Sequence, residues 1–126
     1  MQAVLLVALG GAFGSVCRYW MSIAVAQWLG EAFPWGTVAI NVLGSFVIGA
    51  FAALTGPGGG LEGNMSLRLL VIVGVCGGFT TFSSFSLQTM NLLRAGEPVA
   101  AFANVAASVL LCVLATMAGA AIFTRG

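Results

Sequence analysis

Four apolar stretches, each long enough to cross a lipid bilayer, take up most of this chain and decide what it can fold into. They run over about residues 3–26, 35–54, 67–93 and 99–123, and a bilayer core needs roughly 20 apolar residues wound as helix. Of the 126 residues, 60% are hydrophobic, and the formal charge is confined to four Arg and three Glu with no His. A soluble domain of this length would need far more polar surface. All three Pro, all three Glu and the Gly58-Gly59-Gly60 tract fall near residues 30–34, 56–66 and 95–98, where turn chemistry is required between spans. The expected fold is an all-α, multi-pass membrane protein with one four-helix domain over 1–126. Ala24-Val25-Ala26 resembles a cleavage site, but no basic segment precedes it and Arg18 lies inside the apolar stretch, so the first span is expected to be retained.

Enzyme chemistry has little to work with. Cys17, Cys76 and Cys112 are far apart and embedded in apolar sequence, which fits small buried side chains better than metal or redox sites. No His accompanies them, and no nucleophile has a base nearby. Asn64-Met65-Ser66 matches a glycosylation acceptor, a motif too short to weigh.

The third span is different. Gly77-Gly78-Phe79-Thr80-Thr81-Phe82-Ser83-Ser84-Phe85 puts paired glycines and a cluster of hydroxyls in the middle of an apolar run. Inside a membrane every backbone N–H and C=O needs a partner, so a helix breaks only where protein or a polar cavity covers the freed groups. If the helix stops near Gly77 and restarts near Thr81 or Phe82, its first half ends in unpaired carbonyls that attract cations. Its second half starts with N–H groups that attract anions. Phe82 and Phe85 then share a face of the second half, and the positive ring edge of an aromatic is a weak anion contact. Conduction depends on such weak, multiple contacts.

Other polar residues also need a reason to be in a span. Asn41 and Ser45 share a face of the second span, and Asn104, Ser108, Cys112 and Thr116 form a four-residue ladder in the last. They fit either interhelical hydrogen bonding or a polar path. Arg18 fits either a snorkelling anchor or a charge that draws anions into a vestibule. Gly10 and Gly14, Ser45 and Gly49, and Ala115 and Gly119 form small-xxx-small ridges for close helix packing.

Arg68 and Arg125 fall on the side of the termini and Arg94 on the other, with Arg18 free to reach that other face. The basic residues that normally orient a membrane protein are therefore nearly balanced. A chain without a directional signal can insert both ways, and two opposed copies can pack as an antiparallel homodimer.

The third-span run through Ser86 resembles the signature of the Fluc (CrcB) family of small fluoride channels. Pro34-Trp35-Gly36-Thr37, Asn41, Gly44 and Gly49 are similar to that family's second helix, and Gly10-Gly11, Gly14 and Arg18-Tyr19 to its first. The resemblance implies a dual-topology homodimer in the inner (plasma) membrane that conducts fluoride passively, with no nucleic-acid partner. It implies a structural Na+ at the dimer centre, held by the backbone carbonyls of Gly77 and Thr80. It further implies a fluoride path lined by Asn41, Phe82 and Phe85, continued by Ser83, Ser84 and Thr116, with Arg18 near a vestibule. The chain departs from the family's usual residues at Phe79, Ser84 and Gln88. A small proton-coupled multidrug-type transporter is the main alternative, but Glu31, Glu62 and Glu97 all read as loop residues, leaving no embedded acid to titrate. A non-transporting membrane scaffold subunit would leave the broken third span unexplained.

Overall fold

The computed structural model describes residues 1–124; Arg125, counted above in the charge balance, lies outside them. The described residues form four spans, three of them single helices: α1 (Gln2–Leu29), α2 (Trp35–Thr55) and the C-terminal helix, α5 (Pro98–Phe123). The remaining span is split. Its first half, α3, runs through Met65–Leu67, Arg68–Cys76 and Gly77–Phe79, and its second half, α4, covers Phe82–Arg94.

Local chemistry sets the ends. Gly30 closes α1 at φ 76°, a left-handed conformation that glycine adopts without strain. Pro98 opens α5 at a position where its missing N–H costs nothing. Between α2 and α3 the chain makes an ordered turn in which Glu62 accepts from the Gly58 N–H at 2.9 Å. Asn64, the glycosylation-like asparagine, caps α3 by accepting from the Leu67 N–H at 3.0 Å. Arg68 donates through Nη1 to Thr55 Oγ1 at 2.8 Å and so ties the start of α3 to the end of α2.

The helices pair through glycine. A Cβ on Gly10 would run into the Leu70 carbonyl, and one on Gly14 into the Val75 carbonyl, so α1 and α3 touch backbone to backbone. The contact is reciprocal, because a Cβ on Gly78 would strike the Gly11 carbonyl. Along this seam α3 is wound as a π-helix from Arg68 to Cys76, a departure from regular helix that often marks functional segments. The other tight pair is α2 with α5, where Gly49 faces the Thr116 carbonyl and Gly119 faces the Phe46 carbonyl. The small-xxx-small ridges are thus packing seams, the arrangement that helices in lipid favour.

The core is thin. Val38, Ile40, Ala50, Cys76, Phe79, Leu92 and Ala101 are its buried apolar residues, while Leu9, Phe13, Leu110, Leu114 and Met117 point outward. Apolar side chains facing out are the expected surface of a protein whose neighbour is lipid.

Candidate functional site

The third span leaves helical geometry altogether at Thr80 and Thr81, whose backbones are extended (φ −81°, ψ 156° and φ −150°, ψ 112°). Gly77 and Gly78 stay helical, so the glycines do not cause the break. Gly78 permits the approach of α1, and the break follows from what happens to Thr81. Its N–H donates to Asn41 Oδ1 at 2.8 Å, and its carbonyl accepts from Asn41 Nδ2 at 3.1 Å. One side-chain amide on α2 therefore satisfies both backbone groups of the residue that leaves the helix, which removes the penalty for breaking it inside a membrane.

Neighbouring carbonyls are treated selectively. Cys76 O accepts from the Thr80 N–H at 2.9 Å and from Thr80 Oγ1 at 2.8 Å. Gly78 O accepts from Arg18 Nε at 3.1 Å, with the Ser15 hydroxyl at 3.5 Å. Among the described residues, no group donates to the carbonyls of Gly77 or Thr80. Gly77 is exposed, and a Cβ built on it would meet nothing within 4 Å. A concentration of free carbonyl oxygen on an open face suits a hard, weakly hydrated cation.

On the other side of the break Thr81 caps α4. Its Oγ1 accepts from the Ser84 N–H at 3.2 Å and lies 3.1 Å from Ser84 Oγ and 3.3 Å from Ser83 Oγ. Three hydroxyls thus gather where the helix N–H groups make the potential positive. The Phe82 and Phe85 ring centroids stand 5.3 Å apart with their planes at 49°, so the rings do not stack face to face. Phe82 is 77% exposed.

Asn41, Gly77, Thr80, Phe82 and Phe85 share one cleft of about 440 Å³, which Ser108 and Cys112 of α5 also line. Ser83 and Ser84 join this group through Thr81. The other two expected residues sit elsewhere in the protomer. Thr116 does not line the cleft; its hydroxyl donates to the Cys112 carbonyl at 3.0 Å. Arg18 is not among the residues lining the cleft; its Nε donates to the Gly78 carbonyl.

A second cleft of 550 Å³ opens at the end of the bundle where α1 meets α2 and α4 meets α5. Gln88, Asn91, Ser22, Thr37, Glu31 and Glu97 contribute its polar lining. Gln88 Oε1 is buried there with no hydrogen-bond partner among the described residues. Sequence reading overlooked the part played by Thr81. A hydroxyl residue immediately before a restarting helix is the N-cap pattern that would have pointed to it.

Fold and site together define a class: a small, all-α, multi-pass membrane protein whose polar groups gather at a helix break within the bilayer. The chain matches the CrcB-like protein family, described as camphor resistance (CrcB), over residues 5–120, and it belongs to that family. It is 55% identical over 119 residues to a protein of Opitutus terrae, covering 94% of this chain and 90% of that one. It is 53% identical over 113 residues to a protein of Methylocella silvestris, covering 90% and 86%. A third relative, from Rhodospirillum rubrum, is 53% identical over 115 residues, covering 91% and 89%. Each of the three is named fluoride-specific ion channel FluC.

Proposed function

We propose that this protein is a passive, fluoride-selective channel that lets fluoride leave the cell, and that it is not an enzyme. It is a multi-pass protein of the inner membrane. Family membership and the names of its relatives support the substrate. The observation that carries the mechanism is the Asn41–Thr81 clamp, which holds the third span open beside the Phe82–Phe85 pair.

Fluoride entering a narrow protein path loses water that must be replaced. An amide nitrogen carries two donors, and Asn41 uses one on Thr81, so the second is available to a passing anion. The ring edges of Phe82 and Phe85 offer weaker positive contacts, and the hydroxyls of Ser83 and Ser84 extend the donor set toward the start of α4. None of these groups is a full charge, so fluoride is compensated without being trapped. Chloride is larger and would have to spread a packed site to reach the same donors.

The working unit is read as an antiparallel homodimer. The near balance of basic residues supports two insertion directions, and the open face at Gly77 supports contact with a second copy. A Na+ at that contact would be held by the Gly77 and Thr80 carbonyls of both copies, and it would supply positive charge where carbonyl ends converge. The absence, among the described residues, of a donor to either oxygen fits this role. Thr116 and Arg18 would then bear on the path from the dimer rather than from the protomer's own cleft. The transporter reading is weaker, since Glu31 and Glu62 lie in turns and Glu97 at the start of α5, outside the membrane-embedded helix bodies.

The test is fluoride efflux from liposomes holding the purified protein, read by a fluoride electrode with voltage clamped by an ionophore. Rapid fluoride release without chloride release or proton coupling is expected. No release from dimeric protein would overturn the reading, and release coupled to protons would move it to the transporter.

A further inference from the structure

We propose that Asn104 and Thr89 form a positioning strut that holds α4 against α5, and so decide where Phe85 stands in the permeation path. This rests on the channel reading above. It begins with how little apolar contact α4 has. Of its 13 residues only Leu92 is buried, and six are Ser, Thr, Asn or Gln. A half-helix with so little packing relies on specific ties for its register. At its N-terminal end the tie is the Asn41–Thr81 clamp. Two turns further on, the tie is Asn104.

Asn104 is 0% exposed, the most buried polar side chain among the described residues. Its Nδ2 donates to Thr89 Oγ1 at 3.0 Å, the one side-chain hydrogen bond between α4 and α5 among the described residues. Thr89 Oγ1 in turn donates to the Phe85 carbonyl at 2.8 Å. Behind Asn104, the Ser108 hydroxyl donates to Asn104 Oδ1 at 3.4 Å. The four groups form one head-to-tail chain, Ser108 to Asn104 to Thr89 to Phe85, with every donor pointing the same way. Such chains polarise along their length and stiffen as a unit. Both ends, Ser108 and Phe85, face the same cleft. The polar ladder of the last span is thereby divided: its first two members hold α4, whereas Thr116 bonds only within its own helix.

Interhelical glue without a functional role is the rival account, and Thr89 separates the two. Thr89→Val keeps the shape and removes the link, while Thr89→Ser keeps the hydroxyl. In the channel reconstituted in liposomes, Thr89→Val is expected to slow fluoride flux about tenfold and to lower fluoride-over-chloride selectivity, as loss of a positioning contact does. Thr89→Ser should stay within about twofold of wild type on the same reasoning. Adding Asn104→Ala to Thr89→Val should cost nothing more, because coupled partners are not additive. Hydrogen–deuterium exchange across Phe82–Arg94 should quicken in Thr89→Val and not in Thr89→Ser.

Wild-type flux and selectivity in Thr89→Val would overturn the proposal, whether or not exchange quickens, because the link would then serve packing alone. Equal losses in Thr89→Ser and Thr89→Val would overturn it too. If Asn104→Ala does not fold, the two Thr89 variants decide. A wild-type protein that carries no fluoride would remove the channel reading itself, and that is seen before any variant is compared.

Discussion

Asn41 and Phe82 line the same cleft, yet only the loss of Asn41 should be felt in stability as well as in flux. Asn41 satisfies the N–H and C=O of Thr81 within the membrane. Asn41→Leu fills the same space and strands both groups, at about 1–3 kcal/mol for each unpaired buried group. Thermal unfolding in detergent should fall clearly below wild type, together with flux. Phe82 is 77% exposed in the protomer, and its ring pairs with that of Phe85. Phe82→Ile should therefore leave the melting temperature close to wild type while fluoride efflux drops at least about a hundredfold, since the isoleucine has no positive edge to offer. Normal efflux in Phe82→Ile would take the ring edges out of the mechanism. Thr80→Pro tests the carbonyl side. Its φ of −81° suits proline, but the substitution removes both the N–H and the hydroxyl that meet the Cys76 carbonyl. The segment carrying the Gly77 and Thr80 oxygens should loosen, and replacing Na+ by a bulky organic cation should then change flux less than in wild type. An unchanged Na+ dependence would argue against these carbonyls as the cation's ligands.

At the scale of elements, the helix pairs are held by places where no side chain fits, and two neighbouring glycines show the difference. A Cβ on Gly14 would strike the Val75 carbonyl, whereas one on Gly11 would come no closer than 3.9 Å to the Gly74 carbonyl. Gly14→Ala is expected to push α1 off α3 and cost about 1–3 kcal/mol, the usual range for overpacking. Gly11→Ala should be close to neutral, and denaturation of both in the same detergent checks the contrast. Much of this level was legible in the sequence. Length and apolarity mark the spans because lipid imposes one thickness on every crossing, and spacing marks the ridges because helical period does. The break was legible in kind but displaced in place. Paired glycines signal either a break or a close approach, and here Gly78 serves approach while Thr80 and Thr81 carry the break. What separates those readings is a partner 40 residues away, Asn41, and no local pattern contains it. Arg18 was legible as an anomaly in a span, but its target, the Gly78 carbonyl, is 60 residues away. Thr116 shows the converse: helical period put it in line with Ser108 and Cys112, yet its hydroxyl bonds within its own helix.

For the whole molecule the decisive surface is the open one. Gly77 has ordinary helical geometry (φ −61°, ψ −40°) and empty space where a Cβ would go. Within one protomer, Gly77→Ala should be harmless, and helix propensity alone favours the alanine by about 1 kcal/mol. In the proposed antiparallel dimer the same face would meet its symmetry mate, and each added methyl would then separate the two α3 helices where they come together. Gly77→Ala should thus keep the protomer's unfolding at or above wild type while dimer affinity in the bilayer falls tenfold or more, about 1.4 kcal/mol. Dilution of labelled protein into increasing amounts of lipid, with dimers counted by single-molecule photobleaching, measures that affinity directly. Loss of protomer stability would mean that Gly77 packs inside the protomer. Unchanged dimerisation with unchanged Na+ dependence would place the interface on another face and detach the free carbonyls of Gly77 and Thr80 from any shared cation.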